Sequence, residues 1–334
     1  MGHSTRKLWL RCWLVVLGAI PIATAAAAVP TVLQIGIPTI DLDRGSVPGT
    51  VQSPTAIAYH PDLNQYYGAN GGSTDYDGFT WGASGGDPLD ALSRRDPPDE
   101  IGVDARTVYY NPNEDQIEIV ASPGPLLDHT IMAMGLDGGF FTGLSSTIML
   151  SGSGGGPLFL SGVDSLSSPA FDPGRDVFYA RGIDSNETTI QVVSRSTGQP
   201  VMQTDPACPN PTRSPSSGVA CTITTDLPTG TSIQRGWIGY DANFDVLVTI
   251  DTANELALIH GLDGSLIDQS DIAGFFNPTQ TFLNAGYANS QLFVFDKDAN
   301  TWHGLRVLAP EPTTALLFGA GCLGLASRRG RRRA

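Results

Sequence analysis

Apolar and polar residues alternate along this chain in short stretches, and several of the stretches begin alike. An aromatic residue is followed by a turn of Asp, Asn, His, Pro or Ala, and then by an alternating strand. The pattern occurs at Tyr59-His60-Pro61-Asp62 before Gln65-Tyr66-Tyr67, and at Tyr110-Asn111-Pro112-Asn113 before Gln116-Ile117-Glu118-Ile119. It returns at Phe171-Asp172-Pro173-Gly174 before Val177-Phe178-Tyr179, at Tyr240-Asp241-Ala242-Asn243 before Val246-Leu247-Val248, and in degenerate form at Tyr287-Ala288-Asn289 before Leu292-Phe293-Val294. The starting aromatics lie 47 to 69 residues apart, the spacing of a multi-stranded repeat with insertions.

The stretch 238–267 shows what one repeat contains. Strand 245–251 turns at Thr252-Ala253-Asn254, strand 255–260 returns, and Gly261-Leu262-Asp263-Gly264 turns into a further strand. This is an antiparallel meander. The same tetrapeptide at Gly135-Leu136-Asp137-Gly138 suggests a weakly marked unit between residues 121 and 165. Repeated meanders must bury their faces on one another, and radial closure does so without long exposed edges. The expectation is an all-β chain, a β-propeller of about six blades, with five or seven as neighbouring solutions. The alternative is a β-sandwich with long loops. In pattern the units resemble NHL-like and WD-repeat propellers, although they lack Gly-His and Trp-Asp signatures. Two stretches break the rhythm and read as long surface insertions: the glycine-rich residues 70–100, and residues 203–231.

Composition agrees, with 39 glycines and 24 prolines in 334 residues predicting many turns and few helices. Charge adds more. Eight of the basic residues lie near the two ends, at Arg6, Lys7 and Arg11 and in a terminal arginine cluster, so the body between them is strongly acidic. Such a surface repels nucleic acid and favours solubility or divalent cations.

Both ends read as targeting signals. Arg6 and Lys7 precede an apolar run, and the small residues from Ala23 to Ala28 offer signal-peptidase sites, so residues 1–28 read as a secretory signal peptide. At the other end, Pro310-Glu311-Pro312 precedes an apolar run from Ala315 to Ala326, and then come Arg328, Arg329, Arg331, Arg332 and Arg333. In that order these features resemble the PEP-CTERM sorting signal of Gram-negative bacteria. The resemblance covers residues 309–334 and implies export across the inner membrane, a transient transmembrane helix, an exosortase-type processing enzyme as partner, and a final place at the cell surface or outside the cell. The physics of the tail agrees: fourteen uncharged residues from Thr313 fall short of a ~30 Å hydrocarbon core as a helix, while extension back to Val307 would span it. The arginines would hold the far end in the cytoplasm. Residues 29–308 are then the exported domain. In an oxidising compartment its two cysteines, Cys208 and Cys221, are expected to form a disulfide.

Candidate chemistry is sparse. Gly82-Ala83-Ser84-Gly85-Gly86 fits a nucleophile elbow by spelling but is followed by Asp87-Pro88 rather than a helix, and reads as a loop. Asp296, Asp298 and Asn300 are a weak calcium candidate: they supply the first three oxygens of a calcium loop, but Thr301 and Val307 replace its glycine and glutamate. The segment reads as a hairpin turn. His60, His129, His260 and His303 form no zinc-binding pair. No catalytic residues and no cofactor beyond that calcium are expected. The sequence therefore points to a structural or interaction protein of the cell surface or of an exopolysaccharide matrix. A secreted lyase- or lactonase-like propeller enzyme and a carbohydrate- or calcium-binding module are the alternatives, and four or more ionisable side chains at a channel mouth would favour the enzyme.

Overall fold

A computed structural model describes residues 34–44, 53–71, 76–93, 104–122, 130–134, 167–181, 188–210, 217–232, 237–275 and 285–308, all of them strands, turns and irregular segments. The leader, the tail, the Gly135–Gly138 turn and His129 lie outside the described residues.

The described strands form five antiparallel sheets. The first contains β2 (Ser53–His60), β3 (Gln65–Gly71), β4 (Tyr76–Gly82) and β5 (Asp90–Ser93), and the second β6 (Asp104–Asn111), β7 (Gln116–Ser122) and β8 (Thr130–Met134). The third contains β9 (Ala170–Asp172), β10 (Val177–Arg181), β11 (Thr189–Ser194) and β12 (Thr222–Thr224), and the fourth β13 (Gly239–Asp241), β14 (Val246–Asp251), β15 (Leu256–Gly261) and β16 (Leu266–Asp271). The last is composite. β17 (Ala285–Ala288), β18 (Gln291–Asp296) and β19 (Thr301–Leu308) are completed by β1 (Gln34–Asp43), which pairs with β19 from Gln34↔Leu308 to Asp43↔Thr301.

Each apolar core is shared by two neighbouring sheets. Ala58, Tyr67, Val108 and Ile119 join the first to the second; Tyr109, Ile131, Phe171 and Phe178 join the second to the third. Tyr179, Ile190, Ile238 and Leu247 join the third to the fourth, and Val248, Ile259, Leu292 and Leu305 the fourth to the fifth. Phe293, Trp302, Tyr66 and Trp81 join the fifth back to the first. Five sheets therefore close a ring, which is a β-propeller and not two sheets face to face. Because the second and third sheets share a core directly, the ring closes at five, the lower end of the expected range.

The recurring turns explain why the sequence folds this way. In four sheets the inner hairpin reverses through a four-residue turn whose last residue, Asn64, Asp115, Asp176 or Asp245, sits at φ 51–56°. Asn and Asp accept that left-handed conformation at low cost. The degenerate fifth copy uses a two-residue turn instead, with Asn289 and Ser290 both at positive φ.

Two expected insertions are corrected by the sheets. Residues 70–100 contain β4 and β5, and Phe79 and Trp81 of β4 are buried; glycines at Gly78 and Gly82 disguised a strand whose alternate positions are aromatic. Its following turn, the Ser84 segment, docks on β1, where Gly86 N–H donates to Asp41 O at 2.7 Å and a Cβ on Gly85 would meet that oxygen at 2.4 Å. Residues 203–231 contain β12, and the disulfide Cys208–Cys221 lies in the core of the third sheet, both cysteines being buried beside Val192 and Ile223. Val307, counted above as the start of a membrane span, is a buried residue of β19 whose N–H donates to Ser290 O at 3.0 Å.

Candidate functional site

Each inner strand ends on the same two positions, and these build the mouth of the central channel. Tyr59, Tyr110, Phe171, Tyr240 and Tyr287 are the penultimate residues of β2, β6, β9, β13 and β17. All five line one cavity of about 190 Å³, which Asn243, Asn289 and Ser290 rim. A second cavity of about 60 Å³ continues between the inner strands. The repeat aromatics are thus equivalent in space as well as in sequence.

In four of the five inner strands the last residue fastens the turn; β17 ends in Ala288 and has no such cap. Asp172 Oδ1 accepts from the N–H groups of Gly174 and Arg175 at 2.9 and 3.2 Å, and Asp241 Oδ1 from Asn243 and Phe244 at 2.8 and 3.3 Å. Asn111 Oδ1 accepts from Asn113 at 3.0 Å, and His60 Nδ1 takes the same place toward Leu63 at 3.4 Å. The aromatic positions are fastened too. Tyr59, Tyr110 and Tyr240 each donate a hydroxyl proton to the left-handed residue five places on, at 2.6 Å to Asn64, 2.9 Å to Asp115 and 2.7 Å to Asp245. Desolvation and the Asp115 bond push Tyr110 up to about 12, and desolvation followed by the Asp245 bond raises Tyr240 as well. The Tyr110 and Tyr240 phenols therefore stay protonated across physiological pH, and all three hydrogen bonds hold their rings around the opening.

Polar links tie each sheet to the next just beneath the mouth. The His60 ring lies 4.7 Å from that of Tyr110. Glu118, fully buried, accepts from Arg195 at 2.6 and 3.0 Å, from Asn111 at 2.9 Å, from Gln116 at 2.8 Å and from the Tyr109 hydroxyl. Burial alone would raise the Glu118 carboxyl; Arg195 first, and then the three neutral donors, hold it below its ordinary value. Arg175 bridges buried Asp172 at 2.7 Å and forms a two-pronged pair with Asp245 of the fourth sheet at 2.8 and 2.9 Å. Those bonds keep Asp245 low and Arg175 charged. Tyr287 donates to Asp241 Oδ2 at 2.5 Å, and Asn289 and Gln291 donate to the Tyr66 hydroxyl at 3.1 and 2.8 Å.

What the mouth offers a ligand follows from these commitments. Asp241 is the one carboxylate in the described lining, and both of its oxygens are already engaged. The surface presented is aromatic rings and amide and hydroxyl groups.

The other predicted site residues fall elsewhere. Asp296 and Asn300 occupy the β18–β19 hairpin at the opposite end of the fifth sheet, where Asp296 Oδ1 accepts from the N–H groups of Asp298 and Ala299 at 2.8 and 3.1 Å, and Asn300 sits at φ 55°. That is a hairpin turn. Among the described residues no group of three His, Cys, Asp or Glu side chains gathers as a metal would need, and no helix is long and apolar enough to cross a membrane. Pro310, Glu311, Pro312 and the terminal arginines lie outside the described residues. Sequence reasoning marked the aromatics as repeat starts and missed them as a site. The Asp, Asn or His directly after four of the five, with Ala288 after Tyr287, was the available signal.

No known protein family and no curated protein matches the chain in sequence. Among solved structures it is similar to a nidogen/laminin complex, at 12% identity over 74% of this chain and 73% of that one with a TM-score of 0.36. It is also similar to the PQQ-bound aldose sugar dehydrogenase of Streptomyces coelicolor, at 14% identity over 78% and 82% with a TM-score of 0.37. The propeller assignment rests on the ring of shared cores and not on these likenesses.

Proposed function

We propose that the chain is an exported protein of the cell surface or extracellular matrix, delivered by an exosortase-type enzyme, and that its propeller serves interaction rather than catalysis through the aromatic mouth. The observation that carries the reading is the state of the mouth itself: five aromatic positions facing one cavity, with the adjoining acids bound into turns and sheet junctions. Fixed rings with amides at the rim suit the apolar faces and hydroxyl edges of a sugar chain, because an aromatic side chain combines a large hydrophobic surface with low conformational cost. An extracellular polysaccharide is the partner of that chemistry. The buried Cys208–Cys221 disulfide supports an oxidising destination.

Two measurements test the reading. Separate tags on the body and on the extreme C-terminus, followed in a host with an exosortase, should show the C-terminal tag lost from the surface form, and Glu311→Ala should retain it. Purified processed protein should sediment with the host exopolysaccharide, and Tyr59→Ala with Tyr240→Ala should abolish that binding while preserving the β-sheet circular dichroism. A single full-length cytoplasmic species would overturn the sorting part, and unchanged binding in the double variant would overturn the mouth.

A further inference from the structure

Two of the residues that close the inner strands are carboxylates, Asp172 and Asp241, and the chain treats them differently. Both are buried, at 1% and 2% exposure, and each accepts from two N–H groups of its own turn and from one tyrosine hydroxyl. Asp172 also has a cation, since Arg175, three residues on, sits 2.7 Å from its Oδ2. Phe244 occupies the matching place after Asp241, and among the described residues every donor to Asp241 is neutral. A buried carboxylate is costly to keep without a positive charge nearby. Its field reaches the cavity, where burial first and then the Asp241 charge raise the Tyr287 phenol.

The turns around the cavity carry the same sign. Asp62, Glu114, Asp115 and Asp245 are exposed on them. The bonds that Asp115 and Asp245 accept from Tyr110 and Tyr240 come from neutral phenols and leave the negative charge in place. Among the described residues at this end of the sheets, Arg175 is committed to Asp172 and Asp245, and Arg195 to Glu118. Arg306 is exposed on β19, two strands out from the inner strand of its sheet. Aromatic rings inside a collar of carboxylates attract organic cations and repel anions.

We propose that the mouth takes ammonium groups, so that its polysaccharide is one whose sugars carry protonated amines, with Asp241 as their counter-ion. The inference rests on the aromatic mouth as the glycan site proposed above and adds the charge of the sugar. Asp241 lines the 190 Å³ cavity, so an amine lying there reaches it. A carboxylate has about four acceptor positions, and the bonds from Asn243, Phe244 and Tyr287 leave one for an ammonium N–H. The five aromatic positions around it favour the same ion, which is attracted to a ring face within ~6 Å. A uronate or sulfated chain would instead meet carboxylates on the turns.

The test titrates the purified full chain at about pH 6 with three hexasaccharides: glucosamine, with protonated amines; N-acetylglucosamine, the same backbone without the charge; and galacturonate, which is anionic. The glucosamine hexamer should bind at least ~10-fold tighter than its acetylated form, with a gap that narrows as salt is added, and galacturonate should not bind measurably. Asp241→Asn keeps an oxygen for the turn, as Asn111 does in the second sheet, and should reduce the preference to about threefold or less. Asp62→Asn with Glu114→Gln leaves the cavity lining intact and should reduce it about twofold; this exposed pair decides the matter if Asp241→Asn loses its β-sheet circular dichroism. Equal affinity for the two glucosamine hexamers, no binding of either, or a preference that both variants retain in full would overturn the ammonium site. The underlying reading is scored separately. Sedimentation with host exopolysaccharide that still depends on Tyr59 and Tyr240 would leave the mouth standing and remove only its charge selectivity, whereas loss of that sedimentation as well would remove both.

Discussion

The junction between the second and third sheets and the junction between the fifth and first solve the same packing problem with different chemistry. At the former a buried carboxylate, Glu118, meets Arg195 across the interface. At the latter the contact is aromatic: Trp81, Trp302, Phe79, Phe293 and Tyr66 are all buried, and the Arg44 guanidinium lies 4.9 Å from the Phe79 centroid and 5.5 Å from that of Phe295. Burial lowers the Arg44 pKa to about 10. The fifth-to-first contact joins the two ends of the chain, so its loop-closure entropy must be offset by the apolar area it buries. The second and third sheets are brought together by a much shorter stretch of chain, and there a smaller apolar core around Tyr109, Ile131, Phe171 and Phe178 is joined by a charge pair that contributes register more than net stability.

The largest effect is expected at the aromatic junction. Trp302→Ala removes a fully buried side chain from the strand that holds β1, and should cost about 5 kcal/mol in denaturant unfolding, the upper end for such truncations. A loss under ~1 kcal/mol would mean that β1 closure does not carry the ring.

Next comes the polar junction. Glu118→Ala leaves Arg195 buried without its carboxylate and should cost about 4 kcal/mol, whereas Glu118→Leu combined with Arg195→Met should cost clearly less than the single change. Additive losses in that cycle would show that the pair acts as two independent groups.

The two junctions should also separate by pH, once a third titrating group is removed. Burial, and after it Arg181, lower His260 from 6.5 to about 4. The unfolded chain takes up a proton below pH 6.5 that the folded chain refuses until about pH 4. Stability is therefore full above that window and falls as pH drops through it, by about 3 kcal/mol at the lower edge. His260→Gln should flatten stability between those limits. In that background, the remaining acid loss should begin at the ordinary carboxylate value, where unfolded Glu118 takes up its proton, and continue down to the lower value at which the folded carboxyl does, and Glu118→Leu with Arg195→Met should reduce it. An unchanged acid slope would separate the pair from acid unfolding.

The smallest effect is expected from Tyr66→Phe, which removes the hydroxyl that accepts from Asn289 and Gln291 at the aromatic junction. About 1 kcal/mol by thermal unfolding is the expected loss. A loss as large as that of Trp302→Ala would reverse the view that this junction is held by apolar area.

The repeats, their inner hairpins and the aromatic at the head of each were legible in the sequence, because local chemistry decides them. Asn or Asp at the left-handed position, Asp or Asn capping the turn, and alternation in the strand that follows all act within about ten residues. The disulfide partners were legible for a simpler reason: Cys208 and Cys221 are the two cysteines between residues 29 and 308. Tertiary structure alone decided the rest. It set the ring at five by packing Tyr109 of one sheet on Phe171 of the next, at 4.6 Å between ring centroids. It recruited β1 from the far end of the chain, and turned five repeat markers into the lining of one mouth. It also paired Glu118 with Arg195, 77 residues apart. No local pattern encodes these contacts, because each depends on where ring closure brings strands that the sequence holds far apart.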